Sequence, residues 1–223
     1  MTAILAPRRQ TTLGLLAVAS VAMTQGVAGA QELAPIALPA PRSDFGRSLG
    51  QSLRMRRSQR DFSSRPLPKQ VLSELLWSAY GVNRPDTQDR TAPSWRHARE
   101  TEIYATMETG TWRYDPVAHR LLPHLAGDIR AQTGVQDFVT VAPLTLVYVS
   151  DAAHMSGVSP QEQHRFAAAD TGFIGQNVYL YCASELLACV FRGSLDTDQL
   201  GRTLKLAETQ FIQFAQTVGY PKG

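Results

Sequence analysis

Residues 56–62 of the chain read Arg56-Arg57-Ser58-Gln59-Arg60-Asp61-Phe62. Three guanidiniums and one hydroxyl fall within five residues, and an apolar side chain that can anchor the stretch to a core follows. Arginine presents a rigid fork of donors that matches phosphate oxygens, and serine adds a short hydroxyl donor. The stretch is compatible with a cradle for a phosphorylated ligand. It is equally compatible with a solvated basic loop, because runs of charge are usually exposed.

The residues before this stretch predict export. Arg8 and Arg9 precede an apolar run at 13–23, and Ala28-Gly29-Ala30 provides a small-residue cleavage site, so residues 1–30 have the layout of a signal peptide. The run is shorter than the roughly 20 residues that span a bilayer, so we expect no membrane anchor. The paired arginines are compatible with a twin-arginine signal, and the alternative is an ordinary Sec signal. We expect a periplasmic or secreted protein.

Charge and length limit the remaining possibilities. Without residues 1–30, 20 of the 22 basic side chains remain against all 19 acidic ones, so the mature chain is close to neutral. This balance gives no indication of a nucleic-acid-binding surface, and it makes the clustering at 56–60 a local feature. Residues 31–43 are rich in Pro and Ala and predict an extended linker. Residues 44–223 are long enough for one domain with a sizeable core.

The predicted elements indicate an α+β fold with a mainly antiparallel sheet flanked by helices. Helical spacing of apolar residues predicts helices over 68–81, 160–187 and 196–204, with a weaker one at 127–132. Strands are predicted at 101–107, 111–115, 120–124, 142–149, 188–191 and 210–218. Residues 82–98 have little periodicity and are expected to form a long loop, which in compact domains is often functional.

Other familiar chemistries lack their patterns. The five histidines show neither HExxH spacing nor a cysteine partner, so we predict no metal site. No G-x-S-x-G, G-x-G-x-x-G or P-loop motif occurs, which argues against a nucleophile elbow and against a Rossmann or Walker site. Cys182 and Cys189 are expected in one helix, roughly 10 Å apart along its axis, and therefore as separate buried thiols rather than a disulfide.

Several segments together resemble the nitroreductase-like flavoproteins, which bind FMN at a homodimer interface. The likeness runs from residue 54 to residue 222. Its landmarks are Arg56-Arg57-Ser58-x-Arg60-x-Phe62, Leu72-x-x-Leu75-Leu76-Trp77-x-Ala79-x-Gly81-x-Asn83-Arg84, Arg90-x-x-Pro93-Ser94, Asp170-x-Gly172-x-x-x-Gln176-Asn177-x-Tyr179-Leu180 and Thr217-Val218-Gly219-Tyr220-Pro221-Lys222. The chain departs from the family at Leu186 and Trp95, where small residues are common, and it lacks a basic C-terminal arm.

The resemblance implies FMN as the cofactor and assigns roles to the matching positions. The FMN phosphate and ribityl chain would contact Arg56, Arg57, Ser58 and Arg60, with Lys222 as a substitute for the missing arm. From the partner subunit, the ribityl chain and flavin edge would be reached by Pro93, Ser94 and Trp95. The isoalloxazine ring near N5 would be lined by Phe191, Arg192 and Gly193. No catalytic side chain is predicted, because the flavin carries the redox chemistry.

The implied function is an exported FMN-dependent oxidoreductase. It would transfer two electrons between a donor such as NAD(P)H and a small planar or electrophilic acceptor, such as a nitro compound or a quinone-like molecule. NAD(P)H is scarce outside the cytoplasm, so one alternative is a flavin-dependent dehydrogenase similar to the azoline-oxidising enzymes of peptide maturation. Another is a non-catalytic flavin- or ligand-binding module, in which Trp95 and Leu186 fill the substrate space.

Overall fold

The computed structural model describes residue 2 and residues 33–223, so the predicted signal peptide falls outside the described part except for residue 2. The helices are α1 (Leu49–Met55), α2 (Lys69–Tyr80), α3 (Phe138–Val141), α4 (Pro160–Ser184) and α5 (Thr197–Thr203). The strands are β1 (Ile36–Ala37), β2 (Val82–Arg84), β3 (Asp89–Arg90), β4 (Thr101–Met107), β5 (Gly110–Asp115), β6 (Arg120–Ala126), β7 (Leu144–Asp151), β8 (Ala188–Arg192) and β9 (Gln210–Gly219).

A seven-stranded sheet in the order β1-β6-β5-β4-β7-β9-β8 organises the domain. Every neighbouring pair in it is antiparallel, and β2 and β3 form a separate hairpin. Helices α2 and α4 pack on one face of the sheet, and α5 packs on the other. The predicted α+β fold with an antiparallel sheet and flanking helices is confirmed.

The central strand β7 and the long helix α4 follow from local sequence. In β7, Leu146 and Tyr148 lie in the helix-covered core, whereas Val147 and Val149 lie in the core beneath α5, as the alternation of a strand requires. Helix α4 begins at a capping box between Ser159 and Glu162, with proline at its first position. Strand β7 and helix α4 thus form the centre of the core that supports the candidate site.

The segment at residues 33–43 differs from the predicted linker. It is extended, but β1 pairs with β6, and the indole Nε1 of Trp112 donates to the carbonyl of Ala34 at 2.9 Å. The Arg42 guanidinium bonds the buried Glu74 carboxylate, with 2.6 Å between Nε and Oε1. This stretch is therefore packed against the domain and is not a free tether.

The turn between α4 and β8 corrects the expectation for the cysteines. Helix α4 ends at Ser184, short of the predicted 187, and Leu186 adopts a left-handed φ of 59° that reverses the chain. Cys189 therefore lies in β8 and not in the helix, and burial, together with the nearby Cys189 thiol, raises the pKa of the Cys182 thiol. Both thiols are free and buried, as expected, but the helical spacing used to separate them is wrong.

Three smaller predictions also change. The expected loop at 82–98 contains the β2–β3 hairpin and a single helical turn at Trp95–His97. The weak helix at 127–132 is a short 3-10 turn at Arg130–Thr133. Helix α1, which the sequence pattern does not indicate, begins at Ser48, whose side chain forms a capping box with Gln51. Among residue 2 and residues 33–223, no helix is long and apolar enough to cross a membrane.

Candidate functional site

The basic segment, residues 56–62, runs from the end of α1 along the free edge of β8. The backbone N–H of Gln59 donates to the carbonyl of Cys189 at 2.9 Å, and Phe62 forms an isolated bridge with Pro221. The N–H of Lys222 donates to the carbonyl of Asp61 at 3.2 Å. The fold thus joins three parts of the sequence that the resemblance assigns to one site: the basic segment, β8 and the C-terminus.

The guanidiniums of the basic segment have no carboxylate partner among the described residues. Arg57 and Arg60 are exposed, and Arg56 lies over the ring of Tyr179, 5.3 Å from its centroid. Arg57 also lines a cleft of about 160 Å³ together with Leu186. The segment is therefore a patch of uncompensated positive charge whose donors face solvent or a ligand.

A pair of hydroxyl groups connects this patch to the end of β8. The Oγ of Ser58 lies 2.7 Å from the hydroxyl of Tyr179, and the same hydroxyl accepts the backbone N–H of Phe191 at 2.8 Å. Because Tyr179 accepts from Phe191, its own hydrogen can be donated to Ser58. The hydrogen of Ser58 is then available to an anion outside the chain.

The aromatic ring of Phe191 is held in place by its neighbours. It stacks on Tyr148 at a centroid separation of 5.8 Å and packs against Phe214 at 4.7 Å, with the two ring planes tilted by 40°. Gly175 of α4 allows this position, since a Cβ there would lie 2.6 Å from the ring. The side-chain amide of the buried Gln216 donates to the carbonyl of Gly175 at 3.1 Å and so links β9 to α4. Phe191 is therefore the neighbour that excludes a larger side chain at this position of α4.

The side chain of Arg192 does not join the basic segment. Successive residues of a strand face opposite sides of a sheet, so Arg192 points away from Phe191. Its guanidinium is buried, where it donates to the carbonyl of Thr133 at 2.8 Å and to Oγ1 of Thr217 at 2.9 Å. Burial lowers its pKa to about 10. Only the backbone of Arg192 and the exposed Gly193 remain at the strand end near Phe191.

The segment Pro93-Ser94-Trp95 lies elsewhere on the same chain. The N–H of Trp95 donates to Asp170 Oδ2 at 2.6 Å, and its indole stacks on Phe166 at 5.3 Å. Asp170 and Tyr179 are nine residues apart on α4, which is about 14 Å along the helix axis. One copy of the chain therefore does not bring these three residues to its own basic segment.

The loop that carries these residues is strained and covers a buried carboxyl pair. Arg96, His97 and Arg99 all have left-handed φ values, between 46° and 56°. Beneath them Glu100 is fully buried, and its burial, together with the nearby Asp170 carboxylate, raises its pKa to about 7. The sequence analysis does not identify Glu100, because a lone glutamate before a strand is ordinarily exposed.

Sequence reasoning also missed two groups that build the site. Tyr179 lies in one of the quoted family landmarks but was assigned no role. Its position one turn before Cys182 on α4 is the only other sequence signal for it. Gln59 contributes its backbone alone, so its side chain identity carries no signal. Leu186 occupies a left-handed position that favours glycine, which explains why a small residue is common there in the family.

Metal ligands do not converge in the described part of the chain. Across residue 2 and residues 33–223, no group of three or more His, Cys, Asp or Glu side chains is placed to hold a metal ion. The five histidines are scattered; His119, for example, bonds the hydroxyl of Tyr114 at 2.9 Å.

Comparison with known proteins gives one family. The family model described as the nitroreductase family matches residues 53–220. A crystal structure from Ralstonia eutropha, named as a nitroreductase, is similar with a TM-score of 0.81 and 42% identity, covering 85% of this chain and 90% of that one. A relative from Methanocaldococcus jannaschii, also named as a nitroreductase, is 28% identical over 163 residues, which is 69% of this chain and 82% of its own length. The NADPH:FMN oxidoreductase from Vibrio harveyi has a similar fold, with a TM-score of 0.59 and 20% identity over 78% of this chain and 69% of that one.

Proposed function

The chain belongs to the nitroreductase family, and from this we propose that it is an FMN-dependent oxidoreductase acting on a small planar or electrophilic acceptor. Nitro compounds and quinone-like molecules are the acceptor classes, and NAD(P)H is the proposed donor. One observation carries the proposal. A hydrogen-bonded path from the N–H of Phe191 through Tyr179 to Ser58 ends in a patch of uncompensated arginines.

The residues of the basic segment fit a phosphate group. Arg56, Arg57 and Arg60 supply guanidinium donors that no described carboxylate occupies, and Ser58 supplies a hydroxyl that Tyr179 orients. Charge-assisted hydrogen bonds of this kind are about twice as strong as neutral ones. Lys222 lies close by, through its backbone bond to Asp61. These residues would hold the FMN phosphate.

The end of β8 fits the flat ring of the cofactor. Gly193 is exposed and has no side chain, which permits close approach of a planar group to the backbone. The ring of Phe191 is packed between Tyr148, Phe214 and the space left by Gly175, which supports this strand end. Bound FMN supplies the two-electron redox chemistry, while the chain binds it, orients it and limits access to it.

A homodimer is part of the proposal. Leu49, Leu53 and Met55 of α1 and Phe173 of α4 are exposed large apolar side chains, which a second copy of the chain would bury. The segment 93–95 lies about 14 Å along α4 from the basic segment of its own chain, so it is free to contribute to the site of a partner.

The donor and the compartment are proposed on separate grounds. The similar fold named as an NADPH:FMN oxidoreductase supports a nicotinamide donor. The signal-peptide pattern of residues 1–30 supports export to the periplasm or beyond, with the Sec and twin-arginine routes both open.

The test is the absorption spectrum of the purified protein, before and after incubation with FMN, followed by anaerobic addition of NADH or NADPH. We expect flavin absorption bands that are bleached by one of the two nucleotides. A flavin that neither nucleotide bleaches would favour the substrate dehydrogenase instead. A protein that stays colourless after incubation with FMN would refute the proposed cofactor.

A further inference from the structure

A second basic site lies outside the proposed flavin site. A cavity of about 320 Å³, here called the Arg90 pocket, opens between the β2–β3 hairpin and the ends of β4 and β5. Its charged wall contains Arg90, Arg99 and Arg113, and its apolar wall contains Ile103, Tyr114 and Leu122. Neither residues 56–60 nor residues 191–193 line it. The volume and the mixed lining are those of a small-molecule site.

Arg90 is the cation of this pocket that has no counter-charge. No carboxylate among the described residues forms an ion pair with it, and its Nε and Nη1 atoms are buried without a hydrogen-bond partner. Desolvation lowers the pKa of its guanidinium. A buried charge without a partner costs stability, so its retention needs a reason.

The other charged groups of the wall are already engaged. Arg113 is ion-paired with Glu102, and Arg99 donates to the carbonyl of Thr87 at 2.6 Å. Asp115 accepts the N–H groups of Val117 and Ala118, both at 3.1 Å, and forms an ion pair with Arg120. Glu102 and Asp115, the two carboxylates of the wall, are therefore paired with other arginines, and neither forms an ion pair with Arg90.

An aromatic ring stands beside Arg90. The guanidinium of Arg90 lies 5.8 Å from the centroid of the Tyr80 ring, and Tyr80 also lines the pocket. The ring face interacts favourably with the cation but carries no negative charge that could neutralise it. The region thus offers one positive charge without an ion-pair partner next to an apolar wall.

We propose that the Arg90 pocket binds a small organic carboxylate, with the carboxylate on Arg90 and the apolar body against Tyr114 and Leu122. A single uncompensated guanidinium matches one negative charge, and the apolar wall favours an organic anion over an inorganic one. Arg90 and Arg99 stand at the two ends of the strained loop 91–99. A ligand that contacts both would connect the ends of the segment that carries Trp95.

The experiment titrates benzoate into the full chain and follows binding by calorimetry and by the rise in melting temperature, with uncharged benzamide in parallel. Arg90→Met should weaken benzoate binding by about tenfold or more, since a hydrogen bond to a charged group is worth roughly 1.5–3 kcal/mol. The variant should be no less stable than the parent without benzoate, because it removes an uncompensated buried charge. Arg202→Gln, which alters an exposed arginine of α5 outside the pocket wall, should leave benzoate affinity unchanged.

Three further results decide the outcome. Equal affinity for benzoate and benzamide, or no binding of benzoate, overturns the proposal. Loss of benzoate binding in Arg56→Ala/Arg60→Ala places the anion on the basic segment and also overturns it, independently of whether that segment holds FMN. If Arg90→Met fails to fold, Arg90→Gln takes its place. The arginine Nε–H resonances of the parent then provide a second measurement: one that shifts with benzoate and is absent from the Gln variant supports the site, and no such resonance refutes it.

Discussion

At the basic segment the guanidiniums of Arg57 and Arg60 are exposed to water, whereas at the Arg90 pocket a guanidinium with no partner is partly enclosed by protein. Water compensates the first two charges at little cost, because exposed charges interact weakly with the rest of the fold. Nothing described compensates the third, so it carries a desolvation cost. We therefore expect removal of the Arg57 or Arg60 charge to leave the stability of the fold unchanged, and removal of the Arg90 charge to change it.

The backbone shows the same contrast. The turn that leads to β8 has one residue in the left-handed region, Leu186, and its aliphatic side chain is 53% exposed. The loop over Glu100 has three such residues, and one of them, Arg99, is held by bonds to the Thr87 carbonyl and to Ser94 Oγ. Strain next to the basic segment is thus local, while strain in the loop is sustained by the surrounding contacts.

The largest effect is expected from Arg56→Ala combined with Arg60→Ala. We expect FMN affinity to fall by about 100-fold or more, because two charge-assisted contacts to the phosphate are lost. The melting temperature of the protein without cofactor should fall only slightly, since neither side chain has an ion-pair partner among the described residues and only Arg56 packs on a ring, that of Tyr179. Fluorescence titration with FMN and a thermal melt measure the two quantities.

The matched control is Lys69→Ala combined with Arg202→Ala, which removes two exposed charges elsewhere. It should leave FMN affinity unchanged at moderate ionic strength, where distant charges are screened. If the control weakens FMN as much as the double arginine variant, net charge and not the basic segment determines binding. A large drop in melting temperature for Arg56→Ala/Arg60→Ala would contradict the contrast between the two regions.

A smaller effect is expected from Glu100→Gln, and it depends on pH. The pKa of Glu100 is raised from 4.5 to about 7, so the folded state binds more protons than the unfolded state between these values. The stability of the parent should therefore fall as pH rises from about 4.5 to 7. Glutamine cannot ionise, so the variant should lose this slope and be more stable than the parent by roughly 1–3 kcal/mol above pH 7.

Denaturant unfolding at several pH values measures this difference, and Glu108→Gln serves as the control. Glu108 lies on the exposed turn between β4 and β5, so its replacement should leave the pH profile unchanged. The groups that face Glu100 are Asp170 of α4, Tyr80 of α2 and the hydroxyl of Thr101. An unchanged slope in Glu100→Gln would mean that Glu100 is not the source of the pH dependence.

The contrast between the two regions also explains how much of the fold and of the site could be predicted from the sequence. Strand alternation and helix periodicity predicted most strands of the main sheet, α2 and α4, because these depend on patterns within one element. The resemblance assigned Arg192 as a whole to the flavin site, and in the structure its guanidinium lies on the opposite face of the sheet from the ring of Phe191. The helical spacing of Cys182 and Cys189 was wrong, because Cys189 belongs to the predicted strand 188–191, which β8 confirms.

Contacts between distant segments were beyond the reach of pattern reasoning. Tyr179 joins Ser58 across 121 positions of sequence, and Trp112 fixes residues 33–43 through the carbonyl of Ala34. The Nε and Nη1 atoms of Arg90 lack a hydrogen-bond partner because of how distant segments pack around them, and only the folded chain shows this. The residues of the site could therefore be predicted where they belong to one contiguous family motif. They could not be predicted where the burial of a side chain determines its role.

The smallest effect is expected from Leu186→Gly, which tests whether strain beside the basic segment is local. A left-handed conformation costs an L-residue roughly 1–2 kcal/mol, and glycine loses about 0.5–1 kcal/mol of that gain through its unfolded-state entropy. We therefore expect the variant to be more stable by about 0.5–1 kcal/mol, measured by denaturant unfolding. Arg165→Gly is the control, because Arg165 is also exposed and lies within α4, where glycine should destabilise the helix by about 1 kcal/mol. Opposite signs would show that backbone conformation and not side-chain burial decides. A loss of stability at Leu186 would show that its contacts in the cleft with Arg57 outweigh the strain, and the turn would then resemble the loop over Glu100.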